Sequence, residues 1–323
     1  GNSLVILAVL LSQRLRTATN AFVVNLSIAD LLTSLMTPLQ GLVRSLPLQV
    51  VEGVPFSPLG EWVTRLGVGM AVIQNTSVGC SIVTLTWIAL NRLLLITRPT
   101  TLYPKIFTPK KIAVWIVLSW LIPCTVAYLL PSVIDWDAST AAQTAVIPIP
   151  LVITIVCYVL IWRYLDHHAK TMHSSQVSSD ESTSDNIPMT QCNHVPVNND
   201  LPNSPTSPHQ PVPSQNTAGR SPWSRRQTEI TKNMFYVVCA FLLCITPFAV
   251  CLNFRSSPAF AYSVAILFVN SCINPLIYAT KHRDFKSVFG CILRRQWQHI
   301  PEPSAFLEAV RQRKCCGRSD QPA

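Results

Sequence analysis

Residues 256–280 read SSPAFAYSVAILFVNSCINPLIYAT, with no Asp, Glu, Lys or Arg among them. A helix crosses about 30 Å of hydrocarbon in about 20 predominantly apolar residues, so this stretch is long enough to span a bilayer. Working outward, Ile112–Ile134, Ala138–Trp162, Asn233–Phe254 and Gly67–Leu90 are equally free of charge, and Thr17–Val43 carries only Asp30. These make six spans. The opening run Gly1–Gln13 is apolar but short, and it has neither an initiator Met nor a signal-like basic start. It reads as the inner half of a truncated first helix. The expected fold is an all-α membrane protein, a seven-transmembrane-helix bundle with that first helix truncated.

Composition supports this reading. The chain is 49% hydrophobic and 12% charged, about half the charge of an average soluble domain, and a water-facing surface cannot be built from it. The formal net charge of +10 raises the question of nucleic acid, and the placement of the basic residues answers it. Arg14, Arg16, Arg98, Lys105, Lys110, Lys111, the flanks of the third such loop and the tail from Lys281 hold nearly all of them, whereas the opposite loops hold Arg44, Arg65 and Arg255. The positive-inside rule puts the Arg14 loop and the carboxyl terminus in the cytoplasm and the amino terminus outside. Anionic leaflet lipids account for the charge without a nucleic-acid partner. Of eleven cysteines, Cys80, Cys124, Cys157, Cys239, Cys244, Cys251 and Cys272 fall in apolar spans, where a thiol behaves as a small hydrophobe. Cys192 and His194 lack a second ligand pair at zinc spacing.

The expected organisation is helices 1–5 with their loops over 1–165, a disordered third cytoplasmic loop over 166–226, helices 6 and 7 over 227–281, an amphipathic inner-leaflet helix over 282–295, and a cytoplasmic tail over 296–323. The loop is rich in Ser, Pro, Asn, Gln and Thr, and it buries too little to fold. Ser204, Ser207 and Ser221, each before a proline, and the run Ser178-Ser179-Asp180-Glu181 suit a phosphorylation surface, with an inert spacer as the alternative. Phe285, Val288, Phe289, Ile292 and Leu293 recur at helical spacing among Arg283, Lys286, Arg294 and Arg295, the pattern of a helix lying on a membrane. Cys291 on that helix and Cys315-Cys316 in the tail are candidates for palmitoylation.

A carboxylate in mid-membrane costs roughly 2.5–3.5 kcal/mol on insertion scales, which makes Asp30 a candidate functional residue. Asn2, Ser81, Asn270, Ser271 and Asn274 also lie in apolar spans. Oxygen donors around one acid suit a small hard cation or a cluster of water.

The run Asn25-Leu26-Ser27-Ile28-Ala29-Asp30, the pair Gly1-Asn2 and Asn274-Pro275-Leu276-Ile277-Tyr278 occur in the order found in rhodopsin-like G-protein-coupled receptors. Together with Trp120, Pro150, Tyr158, Phe241 and Pro247, they make the chain resemble that family over nearly its whole length. The resemblance implies a sodium pocket of Asp30, Ser81, Asn270, Ser271 and Asn274, with sodium as an allosteric modulator and no other cofactor. It implies an activation triad of Pro150, Ile82 and Phe241 that repacks as the sixth helix swings outward, and proline pivots at Pro150, Pro247 and Pro275. The G-protein-facing switch would be Asn91, Arg92, Tyr158 and Tyr278.

Several positions depart from the family pattern. Asn91-Arg92-Leu93 stands where Asp-Arg-Tyr is common, and Gln227 stands where an acid on the sixth helix would hold the arginine, with Glu229 two residues on. A weakened resting lock and raised basal activity follow. Gly67 replaces the family's outer cysteine, Pro131–Thr144 has no cysteine either, and Ile245 replaces the toggle tryptophan. Leu102–Thr108 is similar to the second inner loop of melatonin receptors and their orphan relatives.

The resemblance places Gln74, Asn75, Val78, Phe248, Leu252, Phe260 and Val264 around an outer cavity, with no acid of the kind that amine receptors use. A neutral small-molecule or lipid-like ligand fits, and a peptide resting on Asp135, Trp136 and Asp137 is the alternative. Gln74 and Asn75 serve equally as interhelical hydrogen-bonding groups. Asn25 and Asn75 match the glycosylation sequon but sit inside spans.

The expected function is a plasma-membrane receptor passing an extracellular ligand signal to heterotrimeric G proteins, with arrestin and kinases acting through the third cytoplasmic loop and membrane lipids around it. It is not an enzyme. No lysine lies within the seventh span before Lys281 at its cytoplasmic end, which excludes a retinal Schiff base. The alternatives are a receptor relic that no longer signals, and a transporter or channel, for which intramembrane charges along a path are wanting.

Overall fold

A computed structural model of the chain describes residues 1–45, 58–133, 138, 142, 145–181, 222–251 and 258–309. Among the described residues, eight principal helices run in chain order: α1 (Asn2–Leu11), α2 (Ala18–Ser45), α3 (Pro58–Thr97), α4 (Pro109–Val133), α5 (Pro148–Glu181), α6 (Pro222–Cys251), α7 (Pro258–Lys281) and α8 (Arg283–Leu293). A single helical turn, Tyr103–Ile106, joins α3 to α4.

Five of these contain stretches long and apolar enough to cross a membrane, namely Ala18–Val43, Gly60–Thr97, Pro109–Leu129, Pro148–His167 and Pro258–Lys281. Asn2–Leu11 and Phe235–Cys251 are shorter apolar helices. The fold is an all-α seven-helix membrane bundle. Helices are forced here because every backbone N–H and C=O must be satisfied without water. The surface shows the same physics: Val117, Leu243 and Leu276 are 54%, 75% and 65% exposed, which is unremarkable when hydrocarbon is the solvent.

By packing, the chain separates into a unit of Gly1–Ile161 with Gln227–Ala323 and a second unit, Trp162–Arg226. Within the first, α2 packs against α1, α3, α4 and α7, and α1 packs against α7 and α8. The α3–α4 approach depends on Gly79, where a Cβ would lie 2.6 Å from Pro123 Cβ. The loop expected from residue 166 is helical at its start, since α5 continues to Glu181 and α6 already begins at Pro222. From Asp166 to Asn186 the sequence holds no Pro or Gly, and an established helix extends at little cost until such a residue stops it. Ser204, Ser207, Cys192 and His194 lie outside the described residues, as do Ser221 and the pair Cys315-Cys316.

α8 buries Phe285, Val288, Phe289 and Ile292, while Leu293 is 72% exposed. Asp284 on α8 pairs with Arg14 at 3.0 Å. Beyond α8 the tail turns back at Arg295, whose φ is 55°. It then forms a short strap under α1: Gln13 N donates to Glu302 O (2.8 Å), Ser304 N to Leu11 O (2.8 Å) and Ser12 Oγ to Pro301 O (2.7 Å). The Ser304 bond satisfies a carbonyl in the last turn of α1, one of those a helix end leaves open. Ile300, Ser304 and Leu307 are buried by it.

Candidate functional site

Asp30, at mid-length of α2, is 1% exposed. Its Oδ1 accepts from Ser81 Oγ of α3 (3.1 Å) and its Oδ2 from Asn274 Nδ2 of α7 (2.7 Å). Asn2 Nδ2 of α1 donates to the carbonyl of Ser271 (2.9 Å). Three helices, α2, α3 and α7, therefore meet at one carboxylate, α1 is tied to α7 through Ser271, and Asn270 and Ser271 are themselves buried. Three carbonyl oxygens there, Asn2 Oδ1, Asn270 Oδ1 and Asn274 Oδ1, are buried without a hydrogen-bond partner. Such atoms are costly unless matched. A carboxylate with hard oxygen donors fits a small cation, and Asp30, Ser81, Asn270, Ser271 and Asn274 fit that donor set. Asn2 is an addition that its first-helix position placed near Asp30 and that its orphaned oxygen strengthens.

The second cluster lies at the inner end of α3. Asn91 is fully buried, and its Oδ1 accepts from Thr19 Oγ1 of α2 at 2.7 Å. Arg92 is buried and within electrostatic range of Tyr158 and Tyr103. Tyr158 packs at a tilt against Phe235 of α6 with ring centroids 5.6 Å apart, and Tyr278 stacks at 5.5 Å against Phe285 of α8. Both phenolic oxygens are buried without a hydrogen-bond partner. The side chains of Gln227 and Glu229 lie outside the described residues.

Between these clusters, Ile82 and Phe241 are buried and Pro150 is half-buried. Sequence reasoning missed the group that joins them: Thr86 Oγ1 lies 3.1 Å from the carbonyl oxygens of both Ile82 and Pro150, and 3.1 Å from Thr154 Oγ1. A second missed knot ties α2, α3 and α4, with Asn25 Nδ2 donating to Thr84 Oγ1 (2.8 Å) and Ser119 Oγ (2.9 Å) while Trp120 Nε1 donates to Asn25 Oδ1 (2.8 Å). The Asn25 amide, committed to this core, is not available as a glycosylation acceptor. Pro247 and Pro275 sit inside α6 and α7.

Residues 1–146 and 139–278 match the family model described as 7 transmembrane receptor (rhodopsin family). The chain belongs to that family. This receptor is 25% identical to the mouse alpha-1D adrenergic receptor over 95% of its own length and 58% of the relative's. It is 25% identical to the dog histamine H2 receptor, covering 91% of this chain and 75% of that one. The Drosophila melanogaster octopamine receptor beta-2R is also 25% identical, over 93% and 61% of the two chains. The chain thus spans little more than half the length of several relatives. The family is one of receptors and not of enzymes.

Of the outer-cavity positions in this receptor, Gln74 and Val78 are half-buried and Asn75 is exposed. Gln74 Nε2 donates to Thr37 Oγ1 of α2 at 3.2 Å, an interhelical bond. Phe248 and Phe260 bring α6 and α7 together with ring centroids 6.1 Å apart, and Val264 is half-buried. Leu252, Asp135, Trp136 and Asp137 lie outside the described residues. At the toggle position Ile245 is fully buried, and at the outer-cysteine position Gly67 faces Val43. Phe107, in the segment following Asn91-Arg92, packs edge-on against Phe22 of α2 at 6.1 Å.

Proposed function

We propose that this chain is a G-protein-coupled receptor of the plasma membrane, with its amino terminus outside, its carboxyl terminus in the cytoplasm, and an outward movement of α6 as the signalling step. The observation that carries the reading is the carboxylate of Asp30 held between Ser81 and Asn274. It couples α2, α3 and α7, so a cation there opposes rearrangement of α7 and favours the resting arrangement. Asp30, Ser81, Asn270, Ser271 and Asn274 would hold sodium, which supplies positive charge to the buried carboxylate. Pro247 and Pro275 interrupt helical hydrogen bonding inside α6 and α7 and serve as pivots, together with Pro150 in the first turn of α5, with Ile82 and Phe241 repacking between them. Arg92, Tyr158 and Tyr278 are buried in this arrangement, and the outward movement of α6 opens this switch region to a heterotrimeric G protein.

The ligand is a neutral small molecule or a lipid-like one. Gln74, Asn75 and Val78 supply no charge to pair with an ammonium group, although the relatives include adrenergic, histamine and octopamine receptors. Phe248, Leu252 and Val264 supply apolar surface. Kinases and arrestin act through the serine-rich third cytoplasmic loop, Cys291 carries a palmitoyl chain, and Leu102–Thr108 relates the chain to the melatonin-like and orphan subgroup.

Basal G-protein activation, compared with Arg92→Ala at matched surface expression, tests the reading. Basal signal lost with Arg92 supports a coupled receptor. Silence of both proteins at the surface would favour a non-signalling relic, the reading that Gly67, Asn91 and Ile245 suggest.

A further inference from the structure

A groove of about 650 Å³ opens between α1, α7 and α8, lined by Leu4, Cys272, Ala279, Lys286, Gly290 and Arg294 among others. Its size falls within the ~300–1,000 Å³ of small-molecule sites. The space beside Gly290 is open, since a Cβ added there would meet nothing within 4 Å. The walls are apolar and open to the bilayer, since Leu276 and Leu293 beside it are 65% and 72% exposed. Its lining includes two cations, Lys286 and Arg294. Lys286 and Arg294 are exposed and take part in neither ion pair found among the described residues. Asp284, the acid of α8, is occupied by Arg14 and so does not cancel the charge.

We propose that this groove is a binding site for an anionic phospholipid of the inner leaflet, with an acyl chain along α1 and α7 and the phosphate between Lys286 and Arg294. Charge complementarity selects this occupant: the apolar lining accepts hydrocarbon, and the two cations in that lining favour a negative headgroup. The inference depends on the membrane-spanning arrangement and not on G-protein coupling.

The test uses the full chain in phosphatidylcholine vesicles containing phosphatidylserine with a photoreactive acyl chain. The expected result is adducts mapping to Leu4, Cys272 and Ala279 peptides, in preference to the same probe built on phosphatidylcholine. Lys286→Ala and Arg294→Ala should each lower that preference about fivefold, at about 1 kcal/mol for each basic residue near an anionic surface. Gly290→Phe should abolish the groove adducts while leaving those elsewhere unchanged, since the space accepts the ring. Equal labelling by both probes, or labelling spread around the bundle and insensitive to all three substitutions, would overturn the proposal. So would a groove free of phospholipid adducts until Cys291→Ser, which would assign the space to an acyl chain attached to that thiol.

Discussion

Asn274 Nδ2 donates a 2.7 Å hydrogen bond to Asp30 Oδ2, fastening α7 to α2 across 244 positions of sequence. The same carboxylate accepts from Ser81, and three partnerless amide oxygens lie in the surrounding core. A ligand that binds only the folded state stabilises it by about 1.4 kcal/mol at tenfold its Kd. The purified protein should therefore melt at a higher temperature in sodium chloride than in choline chloride. Asp30→Asn should remove the difference. An equal salt response in both proteins counts against sodium at this site.

Asn91 stands before Arg92 where the family commonly has an acid, and its Oδ1 accepts from Thr19 Oγ1. Restoring charge with Asn91→Asp should lower basal G-protein activation at matched surface expression. Thr19→Val, which removes one buried hydrogen bond, should cost about 1 kcal/mol. Basal signalling unchanged by Asn91→Asp would show that the neutral residue does not loosen the resting state.

Gly79 and Gly290 make opposite predictions. At Gly79 a Cβ would sit 2.6 Å from Pro123 Cβ, so Gly79→Ala should push α4 from α3 and cost about 1–3 kcal/mol, as overpacking does. At Gly290 the space is open, and Gly290→Ala should stabilise α8 by up to about 1 kcal/mol through helix propensity. Thermal melting of the two variants in one detergent settles both.

Thr86 bridges α3 to the carbonyl of Pro150. Thr86→Val keeps the shape and removes the donor, so it should lower stability by about 1 kcal/mol and change the ligand-free signal more than a matched Thr125→Val, whose hydroxyl bonds only within α4. Equal effects at the two positions would deny Thr86 any part in coupling α3 to α5.

The bundle was legible because hydrocarbon excludes charge, so long runs with no Asp, Glu, Lys or Arg, or with Asp30 alone, mark the spans without reference to packing. Asp30 was legible for the converse reason, as a carboxylate where none is cheap. Its partners Ser81 and Asn274 followed from the family resemblance, and the hydrogen bonds join the same residues. Thr86 was not legible, being one hydroxyl among many in apolar helices, each able to bond its own i−4 carbonyl. The Gly79–Pro123 approach and the strap were hidden because both depend on residues distant in sequence. Pro301-Glu302-Pro303 reads as an irregular loop, and only the carbonyls left over at the end of α1 give it a partner. α5 continues to Glu181 in a polar stretch that holds no Pro or Gly to stop it.

The strap has a practical consequence for anyone attaching a reporter to this receptor. Because Ser304 is fastened to Leu11 and Leu307 is buried, the described chain up to Ala309 is held at the foot of the first helix and not at the far end of α8. A fluorophore joined after Ala309 would report on the foot of α1, whereas cutting the chain at Leu293 would strip that foot of its cover. Energy-transfer distances calculated as though α8 pointed the way would be measured from the wrong corner of the molecule.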